Sequence, residues 1–344
     1  MWRAALCLLV GAGSAAAQPA AISPPWFPDT FMYTGNIVRG LQPGHLLAAL
    51  ELHREGRFEI RIGESSDDGR SWRIAGLAAR DPSHDLYDPY LVRLADGSLL
   101  LDYHRDTMTV LRSTDDGATW RQTTTFHHHY AEGNWRELPG DAPNSPPRVA
   151  LMYADMHLDF TSSYVIRTTT DGYRWSDPIP VGDAGHIWDG LRAALGPVED
   201  DSGGIVHAVY PYRAWPTDSV SIMLVTLDAH TLKQRSPPVV LGKAVPAFRG
   251  LGVFPVLVAC PDGDRVIYTD YDAPRGPRVA VWELSRDHPP TPFLERPPMY
   301  TGFGPVDFVP SWSGIPQMAW AELPYGPHTS VVSMPRPDLA KCRF

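Results

Sequence analysis

The sequence is poor in cysteine, with three among 344 residues, and its charge is sparse on the basic side, with 30 Lys and Arg against 39 Asp and Glu. No Lys/Arg-rich run interrupts the net charge of −9, which excludes nucleic acid as a partner. After the first seventeen residues no segment has the roughly 20 apolar residues needed to cross a bilayer. No stretch carries a convincing three-turn helical pattern either. What stands at the start is Met1-Trp2-Arg3, an apolar stretch from Ala4 to Val10, and a small-residue run closing on Ala15-Ala16-Ala17. That is the three-part plan of a secretory signal peptide. It predicts cleavage after Ala17, a mature chain from Gln18, and a secreted or periplasmic protein with no membrane attachment afterwards. Cys7 leaves with the leader. Cys260 and Cys342 then make either one bridge joining the C-terminal tail to the body of the fold, or two separate thiols.

Proline and glycine are abundant, 35 and 29 residues, and they separate short segments rich in Val, Leu, Tyr and Trp. Many short strands with regular turn signals predict a sandwich, a barrel or a propeller, and a repeat period decides between them. Ser65-Ser66-Asp67-Asp68-Gly69-Arg70-Ser71-Trp72 and Ser113-Thr114-Asp115-Asp116-Gly117-Ala118-Thr119-Trp120 share one pattern, S-x-D-x-G-x-[ST]-W. A worn copy, Thr168-Thr169-Thr170-Asp171-Gly172-Tyr173-Arg174-Trp175, follows with Thr170 in place of the first Asp. The chemistry is local: Asp and Ser oxygens accept turn N–H groups, Gly supplies the unusual φ, and Trp covers the hairpin.

A second repeat pairs a strand, a glycine turn and an apolar strand ending in aromatic or charged residues. Tyr87 to Val92 leads through Asp96-Gly97 to Leu99–His104, and Val253 to Val258 leads through Asp262-Gly263 to Val266–Tyr271. Weaker versions begin near Asn36, Trp135, Trp188 and Gly304. Six units of about 50 residues predict one all-β domain over 18–344, a monomeric six-bladed β-propeller of four-stranded antiparallel blades. Five blades, or seven, are the neighbouring counts.

In such a blade the start of the innermost strand and the end of the second strand share one rim, while the third turn lies at the other. The starts supply Asp88, Glu137, Asp189 and Asp307. The ends supply Glu51, Asp106, Asp155, Asp270, Asp272 and Glu322. Beside them stand Tyr103, His104, Arg105, Trp135, His157, Trp188, Tyr210, Arg213, Tyr271 and Trp320. Carboxylates among aromatic faces suit glycoside hydrolysis, in which one group protonates the leaving oxygen and another attacks or activates water. The expected catalytic set is therefore Glu137, Asp189, Asp88 and Asp155. Tyr103, His104, Arg105, Trp135, Trp188, Tyr210, Arg213 and Glu322 are expected to bind an oligo- or polysaccharide. Two other classes remain open: a polysaccharide lyase using His or Tyr with Arg on a uronate, and a non-catalytic glycan-binding propeller.

The eight-residue repeats resemble the Asp boxes of sialidase-like propellers, where they are structural. The order of elements also resembles the fungal-type exo-1,5-α-L-arabinanases over most of the mature chain. Tyr87-Asp88-Pro89-Tyr90-Leu91 is similar to that family's aromatic-x-Pro-Phe-Leu blade start, Trp135-Arg136-Glu137-Leu138 to its Trp-Glu-Pro-Phe segment, and Asp189-Gly190-Leu191 to its Arg-Pro-Gly-Met segment. The resemblance implies Glu137 as acid/base. An extra residue separates Trp135 from Glu137, and Pro211 stands where a second carboxylate belongs, so Asp189 or Asp155 takes that part. A true sialidase fits less well. Its arginine clamp has only Arg39 nearby, out of register, with Arg105, Arg213 and Arg249 as further guanidinium groups suited to an anion site. His127-His128-His129 has the wrong spacing for a metal site on an extended segment. The Asp67-Asp68 and Asp115-Asp116 pairs belong to turns. No cofactor and no obligatory metal are expected.

Overall fold

The computed structural model describes residues 20–21, 31–54, 57–105, 107–127, 133–141, 145–156, 161–186, 192–199, 204–213, 220–244, 253–272, 276–284, 291–295, 300–324 and 330–344. The leader lies outside these residues, as do the His128-His129 pair, His157, Trp188 and Asp189.

Second strands carry buried apolar runs such as Leu46 to Leu50 and Leu99 to Leu101, and burial of those runs organises the fold. The first blade comprises β2 (Phe31–Arg39), β3 (Leu46–Arg54), β4 (Arg57–Ser65) and β5 (Arg73–Asp81). The second comprises β6 (Tyr87–Arg93), β7 (Leu99–His104), β8 (Met108–Ser113) and β9 (Arg121–Phe126). The third holds β10 (Asn134–Leu138), β11 (Arg148–Met156), β12 (Thr161–Thr169) and β13 (Ile179–His186). The fourth holds β14 (Ala194–Leu195), β15 (Ile205–Tyr212), β16 (Val220–Asp228) and β17 (Val239–Ala244). β18 (Val256–Val258), β19 (Arg265–Asp272), β20 (Gly276–Glu283) and β21 (Thr291–Glu295) make the fifth. The last pairs β22 (Tyr300–Val309), β23 (Gln317–Pro324) and β24 (Ser330–Pro335) with β1 (Ala20–Ala21) from the other end of the chain. All six sheets are four-stranded and antiparallel, and their first strands adjoin one another around a common axis. The chain is a six-bladed β-propeller.

The hydrophobic core lies between blades rather than on the axis. Leu46 to Leu50 of β3 and Leu99 to Leu101 of β7 are buried, and apolar clusters join blade one to blade two, two to three, and three through five. Fourth strands such as β5 alternate exposed and half-buried positions, as expected of a blade's outer edge. The axis is polar instead. Asn36, Tyr90, Asn134, Arg192 and Asp307 are all buried there, and each finds a partner across a blade boundary.

The repeated turns fasten that ring on one rim. Ser65 Oγ accepts the Gly69 N–H at 2.9 Å, Asp67 Oδ1 accepts the Ser71 N–H at 2.8 Å, and Trp72 Nε1 donates to the Gly69 carbonyl at 3.2 Å. Ser113, Asp115 and Trp120 repeat this geometry. Gly69 and Gly117 hold φ of 86° and 89°, a region open to glycine at no steric cost. The second aspartate of each pair reaches the preceding blade. Asp68 accepts the N–H groups of Trp312 and Ser313 at 2.8 and 2.9 Å, and Asp116 accepts that of Leu41 at 3.1 Å. The third copy is shorter by one residue. Asp171, not position 170, does the work of Asp67, accepting Tyr173 and Arg174 N–H groups at 2.7 and 2.9 Å, with the Thr169 hydroxyl on Gly172 at 2.8 Å.

Cys260 and Cys342 are bridged. The bridge ties the C-terminal tail to blade five, where Arg343 and Ala259 also exchange both backbone hydrogen bonds.

Candidate active site

Tyr87 at the start of β6 pairs with His104 at the end of β7, so both lie at the rim opposite the Ser113–Trp120 turn. Between Tyr87 and Tyr90 the register slips by a bulge, and Asp88 adopts φ 47°. A left-handed backbone at a non-glycine residue costs on the order of 1 kcal/mol, least for Asp and Asn, and such strain concentrates at functional positions. The bulge re-aims the Asp88 carboxylate. One oxygen lies 3.4 Å from His104 Nε2, with side-chain exposures of 15% for Asp88 and 3% for His104. The Asp88 N–H donates to Glu51 Oε2 at 3.0 Å, and Glu51 is itself buried at the end of β3. Tyr87 covers the imidazole with ring centroids 5.5 Å apart. Blades one and two thus build a partly exposed carboxylate backed by a buried imidazole and a buried glutamate.

Further in, two more carboxylates lie out of water, Asp102 between blades two and three and Asp307 on the axis. Burial pushes Asp102 up to about 7; the Trp135 indole N–H and Arg192 pull it down, and Asp88 adds to the rise. Its Oδ1 accepts the Trp135 N–H, while Oδ2 has no hydrogen-bond partner. Burial likewise pushes Asp307 up to about 6, against the Ile37 N–H bonded to it at 3.0 Å and the charges of Arg192 and Arg136. Tyr90 links the group. Its hydroxyl meets Asp307 at 3.3 Å and accepts from Asn134 Nδ2 at 3.0 Å, and Arg192 lies over its ring at 5.0 Å. Asp102, Tyr90, Asn134 and Arg192 were absent from the sequence-based set. The signal available was a carboxylate directly after three leucines, Leu99 to Leu101, in a central strand.

The other expected residues divide. Glu137 does not join this rim. It is the fourth of five residues in β10, is exposed, and lines a small cavity of about 130 Å³ with Leu94, Asp96 and Thr170 on the turn-bearing side. The strand begins at Asn134, so Glu137 has run roughly 10 Å past the start at ~3.3 Å per residue. Trp135 is no stacking platform; it is buried against Trp175, centroids 5.6 Å apart. Tyr210 is interior too, 5.1 Å from the Tyr164 ring, and burial, with the Asp183 charge, pushes it to about 12. Tyr103 packs half-buried against the blade-one to blade-two core. Arg105 reaches outward to Asp81 at 2.7 Å. The Arg213 backbone bridges Gly185 of blade three. Asp155 ends β11 half-buried at the same rim as Asp88. Glu322 sits on β23 opposite Ser330, its side chain outside the description, and Asp189 and Trp188 lie outside the described residues.

No family model and no curated protein matches the chain. Solved structures do. The α-L-arabinanase of Penicillium chrysogenum, complexed with arabinobiose, superposes with TM-score 0.61 at 17% identity, covering 92% of this chain and 97% of its own. The GH93 α-L-arabinofuranosidase of Fusarium graminearum, also with arabinobiose, gives 0.59 at 14%, covering 93% and 97%. The NanB sialidase of Streptococcus pneumoniae gives 0.60 at 11%, covering 92% of this chain and 69% of that one. The chain therefore shares its propeller fold with these arabinanase, arabinofuranosidase and sialidase structures.

Proposed function

We propose that this chain is an exported glycoside hydrolase acting at the rim formed by Glu51, Asp88 and His104. The observation that carries the reading is Asp88: strained, bulged, partly exposed, and held from behind by two buried groups. Glycosidic cleavage needs two carboxylates, one to protonate the leaving oxygen and one to attack or to activate water. Asp88 takes the second role. His104 orients its carboxylate, and Glu51 fixes its backbone. Asp155, at the same rim of the next blade, is the candidate proton donor, with Asp189 as the alternative from the sequence between β13 and β14. The raised Asp102, which feels the Asp88 charge, limits the negative charge beside the site. The arabinan-acting neighbours favour a furanoside substrate over a uronate. Arg105, committed to Asp81, is poorly placed for the acid-neutralising role of a lyase.

Incubating the purified mature chain with arabinan, sialylated and uronate-containing glycans tests this reading. Release of reducing sugar from arabinan without unsaturated-uronate absorbance is expected. Absorbance in that band would replace the hydrolase with a lyase, and binding without cleavage would replace it with a glycan-binding propeller.

A further inference from the structure

On the opposite rim, away from the proposed active site, three metal-ligating side chains from two blades converge. Glu199 flanks the β14–β15 turn, His207 lies on β15, and Asp264 closes the β18–β19 turn. One ligand atom from each falls within 4.8 Å of the other two. His207 Nε2 is 3.2 Å from Glu199 Oε1, a separation suited to two donors on one ion. Its other ring nitrogen, Nδ1, meets the Thr226 hydroxyl at 3.2 Å on the neighbouring strand β16. An outer partner on the far nitrogen orients the ring and leaves Nε2 for the ion, as in carboxylate or hydroxyl-supported histidine ligands generally. The two carboxylates of that set concentrate negative charge at one point, which favours a cation there. A cavity of about 350 Å³, lined by Glu199 and Asp264, gives access from solvent. Arg343, in its wall, donates Nη1 to the Val198 carbonyl at 3.1 Å.

We propose that Glu199, His207 and Asp264 bind one divalent transition-metal ion of the zinc and manganese class. One imidazole with two carboxylates suits those ions, whereas calcium and magnesium favour oxygen donors alone. Three protein ligands leave a position open towards the cavity for water. Because Glu199 and Asp264 come from successive blades beside the Cys260–Cys342 bridge, the ion fastens blade four to blade five.

The test is calorimetric titration of ZnCl₂ into the chelator-treated mature chain with its disulfide intact. One site is expected in the wild type, with a higher thermal midpoint in the presence of zinc. His207→Ala and Asp264→Asn should each weaken binding at least tenfold, and Thr226→Val about tenfold, within the range for lost outer-shell support. Glu199→Gln provides a conservative variant should either of the first two fail to fold. Absence of a site in the wild type would overturn the proposal. So would undiminished binding in folded His207→Ala, or binding abolished by replacing His127-His128-His129 with alanines, which would assign the ion to that run.

Discussion

At the turn-bearing rim Asp115 collects the Thr119 hydroxyl and N–H and the Ser113 hydroxyl, and these bonds hold its carboxyl below the usual range. Between blades two and three Asp102 receives one indole N–H, leaves an oxygen unpartnered, and is pushed up to about 7 by burial. The residue type is the same. Donor number and water decide the difference: a carboxylate saturated with donors builds a turn, whereas one starved of them stores a proton. Asp88 falls between the two, with one imidazole contact, partial exposure and a strained backbone. The comparison separates aspartates that hold the ring together from those available for chemistry.

The largest loss of stability is expected from cutting the fastening side of the molecule. Replacing Cys260 and Cys342 together with serine removes a cross-link spanning 82 residues and should cost about 2–5 kcal/mol in chemical denaturation. Turnover per folded molecule should not change. A loss confined to turnover would break the division between the two rims.

Asp102 gives a pH signature of comparable size. The folded chain holds this proton up to about 7, whereas the unfolded chain releases it near 3.8. Its contribution to stability is therefore fully present below pH 3.8 and is lost as pH rises through about 7. Asp102→Asn keeps the Trp135 acceptor but carries no titrating proton. Wild-type stability relative to this variant should fall by about 2–4 kcal/mol between pH 4 and pH 8. Parallel unfolding curves across that range would show that Asp102 is solvated like Asp115.

A smaller effect belongs to a single turn. Asp115→Ala removes the acceptor for the Thr119 N–H and hydroxyl at an exposed hairpin, and should lower stability by about 1 kcal/mol. Asp116→Ala should cost more than that, because it frees Leu41 and His45 of the preceding blade and the Arg93 guanidinium. Equal losses at the two positions would mean that the grip of Asp116 on Leu41 and His45 adds nothing.

The fold was legible because its turns write their chemistry locally. Ser, Asp, Gly and Trp at fixed offsets specify a hairpin without help from the rest of the chain, and their recurrence counts blades. The closing strand was not legible, since Ala20–Ala21 pairs with residues more than three hundred positions away and carries no pattern of its own. The candidate site was partly legible. That Asp88, His104 and Glu51 share one rim followed from strand ends. Glu137 did not, because the true start of β10 is Asn134 and a three-residue displacement carries a side chain to the other rim. Trp135 and Tyr210 were read as stacking surfaces because aromatic residues serve cores and sugars alike, and only their burial between blades distinguishes the two uses. The third turn was misaligned by one residue, since Thr169 substitutes for Ser at a shorter spacing.

The central claim is that Asp88 does chemistry while Asp115 does not, and paired kinetics with unfolding of Asp88→Asn and Asp115→Ala test it most directly. Asparagine tolerates the left-handed backbone, so Asp88→Asn should keep the wild-type unfolding midpoint while lowering kcat at least ~100-fold on the saccharide that the glycan panel identifies. Asp115→Ala should lower the midpoint and leave kcat unchanged. Near-normal turnover in a folded Asp88→Asn variant would contradict the account.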